Sequence, residues 1–213
     1  MKKIPRFVAP LTFREALAGL IGPEISTNDV ERFATRFAGF LDVSCAVAAP
    51  SARIALTALL HAFDFPKGGE VILPALTFHS IPLVFKDFGL KPVFVDIRPD
   101  TYCIDAEKIE GKITPGTVAI VPTHLYGRAC DMSTIGAIAK AHSIAVIEDC
   151  AQSAGGFFRG KRLGSFGDAA FFSFGPTKNL SALWAGMAVS RSESIAQETA
   201  KYLKQLAPIS KGA

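Results

Sequence analysis

The stretch "FFSFGPTKNL", residues 171–180, sets Lys178 five residues beyond Ser173, behind a glycine and a proline that turn the chain. A lone lysine is ordinarily a solvated surface group. A lysine held just past a buried strand is also placed to present its amine for covalent chemistry with a carbonyl. The residues at the ends of the other apolar runs bear on the choice. "EVILP" leads to Thr77 and Phe78, and "PVFVDI" carries Asp96. "TVAIVP" leads to Thr123, His124 and Tyr126, and "IAVIED" leads through Glu148 and Asp149 to Gln152. Each has a structural explanation by itself. A strand-end Asp is a turn former or helix cap, a lone His is a hydrogen-bonded structural group, and Phe78 is a core residue. Together they bring an acid, an amide, a hydroxyl, an aromatic ring and an amine to one rim, which is unusual for a structural edge.

The elements that position this rim are legible. Six runs read as strands: 70–74, 92–97, 117–122, 144–149, 169–174 and 186–190. Most are continuously apolar, as strands covered on both faces are. "NDVERFATRFAGFL", 28–41, puts Val30, Phe33, Phe37 and Leu41 on one helical face, with Asn28 and Glu31 spaced as a capping box. "SARIALTALLHAF" is a second helix capped by Ser51. Segments 79–88, 104–112 and 132–142 are long enough for crossover helices. A final helix opens near Ser194 and Gln197 and is broken by Pro208 and Gly212. Short strands alternating with helices predict an α/β fold, a mainly parallel sheet flanked by helices. In such sheets ligands gather at the carboxyl ends of the strands, where the rim lies.

Composition narrows the function. The 213 residues suit one domain; 49% are hydrophobic and 20% charged, which argues against disorder. A mean hydropathy of +0.31 points to surface that another domain or subunit covers. Net charge is +4 with the basic residues scattered, so nucleic acid binding gains little support. No apolar run reaches the roughly 18 residues of a membrane span. Arg6, Arg14 and Glu15 interrupt what would be the apolar part of an export signal. Cys45, Cys103, Cys130 and Cys150 have no metal-like spacing with the histidines, so no metal site is expected and a reduced, cytoplasmic protein is. "GGFFRGK", 155–161, matches the core of a phosphate-binding P-loop. Arg162 stands where a Ser or Thr must come next, and Phe157 and Phe158 fill the loop, so the match is discounted.

From about residue 28 to 190 the chain resembles the large domain of the DegT/DnrJ family of sugar aminotransferases. These are pyridoxal 5'-phosphate (PLP) enzymes of the aspartate-aminotransferase fold, fold type I. The resemblance is carried by "EVILPALTF", "KPVFVDIRPDTYCIDAEKIEGKITPGTVAIVPTHLYGRACDM", "VIEDCAQSAGGFFRGKRLGSFGDAAFFSFGPTKNL" and "GMAVS". It implies that Lys178 is the covalent attachment point of PLP and that Asp149 binds the pyridine nitrogen. Gln152 would lie near the phenolic oxygen and Phe78 against the ring. Ser173 would bind the phosphate with the turn Ser51-Ala52-Arg53. The chemistry agrees: a carboxylate opposite the ring nitrogen keeps it protonated, and a desolvated lysine loses its proton more readily. A helix opening at Ser51 would offer N–H groups to a phosphate.

Two departures stand out. The family's usual Ser-Gly-Thr phosphate turn is Ser51-Ala52-Arg53 here, where Arg53 is expected to compensate with a charged fork. Its Gly-rich stretch after the lysine is "LWAGM", 183–187, with Leu183 and Trp184 in place of small residues. The resemblance implies a homodimer in which an amino donor, commonly glutamate, supplies the amine passed to a keto sugar nucleotide. Residues 1–213 read as the PLP-binding large domain, with 1–27 an N-terminal segment and 193–213 the start of a connector to an absent C-terminal domain. One rival is a sugar dehydratase of the same family, whose members often carry histidine in the lysine position. The other is a non-catalytic domain that binds PLP or a sugar nucleotide.

Overall fold

The alternation of apolar runs with amphipathic ones resolves, in the computed structural model, into a seven-stranded sheet with helices on both faces. The structure describes Thr12, residues 26–182 and residues 184–206. In chain order the strands are β1 (Cys45–Ala49), β2 (Glu70–Pro74), β3 (Lys91–Val95), β4 (Thr117–Ile120), β5 (Ala145–Asp149), β6 (Phe157–Phe158), β7 (Lys161–Arg162), β8 (Ala169–Ser173) and β9 (Gly186–Ser190). Strands β6 and β7 form a separate hairpin, and the others make the main sheet in the order β1-β9-β8-β5-β4-β2-β3. Pairing is parallel from β3 through β8, while β9 runs antiparallel to both β8 and β1.

Side-chain alternation explains the continuous apolar runs. On β2, Val71 and Leu73 join one core cluster and Ile72 the other; on β8, Ala169 and Phe171 face one way, Ala170 and Phe172 the other. A strand with both faces covered is apolar at successive positions rather than alternate ones. Phe171 and Phe172 are fully buried, each stabilising by roughly 1.5–3 kcal/mol. The helices are α1 (Thr27–Leu41), α2 (Ala52–Phe63), α3 (Ser80–Asp87), α4 (Met132–His142) and α5 (Glu193–Gln205). One face of the sheet is covered by α2, α3 and α5, the other by α1 and α4.

Several expectations are corrected. The capping box of α1 is Ser26 with Asp29, not Asn28 with Glu31. Ser26 Oγ accepts from the Asp29 N–H at 3.2 Å, and an Asp29 carboxylate oxygen accepts from the Ser26 N–H at 3.1 Å. On that helix Phe37 and Leu41 are buried, but Val30 and Phe33 remain exposed. Ser192, extended two residues beyond β9, caps α5 ahead of Ser194. Segment 104–112 forms two short 3-10 turns, Ala106–Lys108 and Glu110–Lys112, pinned by buried Ala106 and Ile109. Strand β1 is an addition to the six expected strands, because "CAVAA" lacks the bulky branched residues that mark strands. The P-loop lookalike is the β6–β7 hairpin, whose turn holds Arg159 and Gly160 at positive φ. Pro208 and Gly212, and nearly all of segment 1–27, lie outside the described residues.

Candidate active site

The carboxyl ends of β5 and β8 bring the acid and the amine together. Asp149 closes β5, fixed by two main-chain bonds to the segment after β4: its N–H donates to Pro122 O at 2.9 Å and its carbonyl accepts from the His124 N–H at 3.0 Å. Only 3% of Asp149 is exposed. One carboxylate oxygen accepts from the Ala151 N–H at 3.0 Å, the other from the Thr123 hydroxyl at 3.4 Å. Two donors leave much of a carboxylate's acceptor capacity unused. Burial therefore pushes the Asp149 carboxyl up, against the opposing effects of the Ala151 N–H, Lys178 and Thr123. A cation seated at the free lone pairs would restore the charged form.

Lys178 reaches the same space from β8. The chain leaves Ser173, turns at Gly175 and Pro176, and closes with the Lys178 N–H donating to Gly175 O at 3.0 Å. The side chain is half-buried, and burial pulls its ammonium pKa down while the Asp149 charge opposes that shift. Both groups are thus drawn toward their neutral forms, and each is the other's counter-charge. An amine in that state is more nucleophilic than a surface lysine.

The anion end is built from α2. Ser51 is extended; its Oγ accepts from the Ile54 N–H at 3.3 Å and its carbonyl from the Ala55 N–H at 2.9 Å. The N–H groups of Ala52 and Arg53 have no partner within the helix and can take an anion. Gly186 makes the close approach here: a Cβ on it would stand 2.3 Å from Ser51 C and 2.5 Å from Ala52 N. Arg53 is exposed and forms no ion pair among the described residues.

All eight expected site residues (Ser51, Ala52, Arg53, Phe78, Asp149, Gln152, Ser173 and Lys178) line one cavity of about 310 Å³. Phe78 is 55% exposed at its mouth. Gln152 is oriented by Oε1 accepting from the Tyr126 N–H at 3.4 Å. Trp184 also lines the cavity and is 81% exposed; Leu183 lies outside the described residues. A larger open groove of about 890 Å³ lies at the amino ends of β5 and β8, away from these groups. The other rim residues serve the framework. Asp96 pairs with Lys108 at 3.0 Å on the surface. His124 Nδ1 accepts from the Cys130 N–H at 3.1 Å, so its hydrogen sits on Nε2, which donates to Glu148 at 3.0 Å. That assigns a neutral imidazole from its hydrogen bonds.

Glu148 also accepts from the N–H groups of Gly164, Phe166 and Gly167. Burial alone would raise its carboxyl, but the bonds from His124, Gly167 and Gly164 outweigh it and hold the carboxyl below its usual value. His124, Glu148 and Cys150 stand within 4.8 Å of one another, yet the imidazole and the carboxylate are already spent on these bonds. Thr123, which lines the cavity and touches Asp149, is visible on the rim in the sequence but is not among the expected site residues. Its position opposite Asp149, in a parallel bridge between the two chain segments, is the signal that sequence spacing does not carry.

The model of the DegT/DnrJ/EryC1/StrS aminotransferase family matches residues 21–207. The dTDP-3-amino-3,6-dideoxy-alpha-D-galactopyranose transaminase of Aneurinibacillus thermoaerophilus is 44% identical over 147 residues, covering 69% of this chain and 40% of the relative. The crystal structure of NtdA from Bacillus subtilis with bound cofactor PMP is 32% identical, with a TM-score of 0.83 over 93% of this chain and 47% of that one. The E. coli GDP-4-keto-6-deoxy-D-mannose-3-dehydratase with bound hydrated PLP is 29% identical, with a TM-score of 0.76 over 79% of this chain and 45% of that one. The chain spans less than half the length of each of these proteins.

Proposed function

The chain belongs to the DegT/DnrJ/EryC1/StrS aminotransferase family, and on that premise we propose that it is the cofactor-binding part of a PLP-dependent aminotransferase acting on a keto sugar nucleotide. The observation that carries this reading is the pairing of a buried, under-bonded carboxylate with a half-buried amine in one cavity, Asp149 with Lys178. The donor set fits PLP at both ends. The unused lone pairs of Asp149 match a protonated ring nitrogen, and the α2 N-terminus with the Ser51 and Ser173 hydroxyls matches a phosphate.

When bound, PLP supplies an electron sink beside the substrate's amine-bearing carbon. The residues of this chain do the rest. Asp149 holds a proton at the ring nitrogen, where an amide or hydroxyl would not. Lys178 would hold the cofactor through its amine, and its lowered pKa suits that amine to take up and return a proton. Phe78 covers one face at the cavity mouth and limits water there. Gln152 offers its amide N–H to the phenolic oxygen while Tyr126 fixes its Oε1. Arg53 lies at the cavity mouth, and we read it as a second cation for the phosphate.

A nucleotide-linked keto sugar as acceptor is supported by the name of the dTDP-sugar transaminase relative, and glutamate as donor is our reading from the family resemblance. Lys178 favours transamination over dehydration. The protein is read as a homodimer, because Phe78, Tyr126, Phe157 and Trp184 remain 55%, 68%, 56% and 81% exposed. The four cysteines are unbridged, which supports a reducing, cytoplasmic setting. No helix among the described residues is long and apolar enough to cross a membrane. The test is a half-reaction: protein loaded with PLP and given glutamate should release one equivalent of 2-oxoglutarate, and Lys178→Ala should release none. Equal release from both proteins would reject the assignment.

A further inference from the structure

Asp149 is not gripped alone. Thr123 is 4% exposed, and its hydroxyl stands 3.4 Å from the second Asp149 carboxylate oxygen and 3.3 Å from the Thr77 hydroxyl. A hydroxyl has one hydrogen. Since Thr123 spends it on the carboxylate, Thr77 must donate to Thr123, which fixes the direction of the whole chain: Thr77 O–H to Thr123 O–H to Asp149. Each donation polarises the next and strengthens the last. The Ala151 N–H holds the other carboxylate oxygen at 3.0 Å, so each oxygen has one donor and the group, which lines the cavity, keeps acceptor capacity for a ligand.

The two threonines also lie on different elements. Thr77 sits in the turn between β2 and α3, next to Phe78, which lines the cavity. Thr123 comes after β4 and pairs through its backbone with Asp149 on β5. The relay therefore ties the segment that carries the ring-facing aromatic to the residue that faces the ring nitrogen. We propose that Thr123 and Thr77 are positioning residues of the cofactor site, which orient the Asp149 carboxylate and lock the Phe78 turn to it. Neither threonine acts on the reacting atoms; they act through Asp149. The proposal deepens the PLP reading and rests on it.

Cofactor binding is the direct readout. Trp184, the single tryptophan of the chain, lines the cavity, so its fluorescence should report PLP uptake without any turnover. Titration of the native chain, Thr123→Val, Thr123→Ser and Thr77→Val with PLP gives the comparison. Thr123→Val keeps the shape and loses the hydroxyl, and should weaken binding by about tenfold, the lower end for a hydrogen bond to a charged group. Thr123→Ser restores the hydroxyl and should return affinity to within about threefold of native. Thr77→Val, one step removed, should weaken binding in the same direction but less.

Native affinity in Thr123→Val would overturn the relay. So would Thr123→Ser binding as weakly as Thr123→Val, since that assigns the role to the methyl and not the hydroxyl. If Thr123→Val fails to fold, Thr77→Val decides, and native affinity there overturns the proposal. A native chain that takes up no PLP at all would instead remove the cofactor reading on which the relay stands.

Discussion

Asp149→Asn removes one charge from the cavity and leaves the side-chain volume unchanged, so its two effects should run in opposite directions. In the cofactor-free protein the carboxylate is buried with only two donors, and burial raises its pKa above the ordinary aspartate value. A group whose folded pKa is raised contributes stability at low pH that is lost as pH rises through the folded value. Above the folded pKa the ionised carboxylate is therefore a cost to the empty protein, and the amide relieves it. Asn still offers an oxygen to the Ala151 N–H, and Thr123 can turn its hydroxyl to accept from the amide. A gain of about 1 kcal/mol would raise the melting temperature of a chain of this size by about 2–4 °C.

With PLP present the sign reverses, because Asn cannot hold a proton at the ring nitrogen. Loss of a buried charge partner costs about 3–5 kcal/mol, which corresponds to about 10²- to 10⁴-fold in rate. Melting with and without PLP, together with single-turnover amine transfer from glutamate by the full-length protein, measures both effects. An Asp149→Asn protein that melts several degrees below native when empty, or that transfers the amine at the native rate, would refute the reasoning.

Three further outcomes are expected. Gly186→Ala forces a Cβ against the backbone of Ser51 and Ala52. An overpacking cost of about 1–3 kcal/mol should lower the melting temperature by about 2–12 °C and weaken inorganic phosphate competition against PLP. Glu148→Gln turns an amide against two of the donors that now meet a carboxylate, which should cost about 3–5 kcal/mol in chemical denaturation. Because the Glu148 carboxyl is held below its ordinary value, native stability from this group is present above that value and lost as pH falls through the folded pKa. The variant should lack that acid-side loss. Light scattering should give twice the chain mass of 22.7 kDa, and a stable monomer at tens of micromolar would remove the dimer.

The candidate rim is legible in the sequence because its residues are tied to strand ends, and strand ends follow from apolar runs. Asp149 and Lys178 are marked by the sequence alone, since "VIED" ends one buried strand on the ligand side and "GPTK" follows directly on another. Ser51 is legible as a cap, and α2 does begin one residue later. The hidden features depend on pairing across the chain. Thr123 is an ordinary hydroxyl until β4 and β5 set it against Asp149. The reversal of β9 depends on its neighbours, not on its own composition. Strand β1 escapes a sequence reading because Cys and Ala pack well against β9 without announcing a strand. Segment 104–112 looks helical by length, but Ile104 bridges back to Ile97 and leaves room only for short turns.

The most direct test of the central claim is a map of where the cofactor attaches. Protein equilibrated with PLP, reduced with borohydride and digested with trypsin should carry the pyridoxyl mass on the peptide containing Lys178. The half-buried setting and lowered pKa of that amine predict labelling at one site with sub-stoichiometric PLP. Lys161 is the sharpest control, because burial lowers its pKa too, yet it stands over the Phe166 ring and outside the cavity. A label on Lys161, or one spread over surface lysines such as Lys201 and Lys204 with Lys178 left free, would contradict the account.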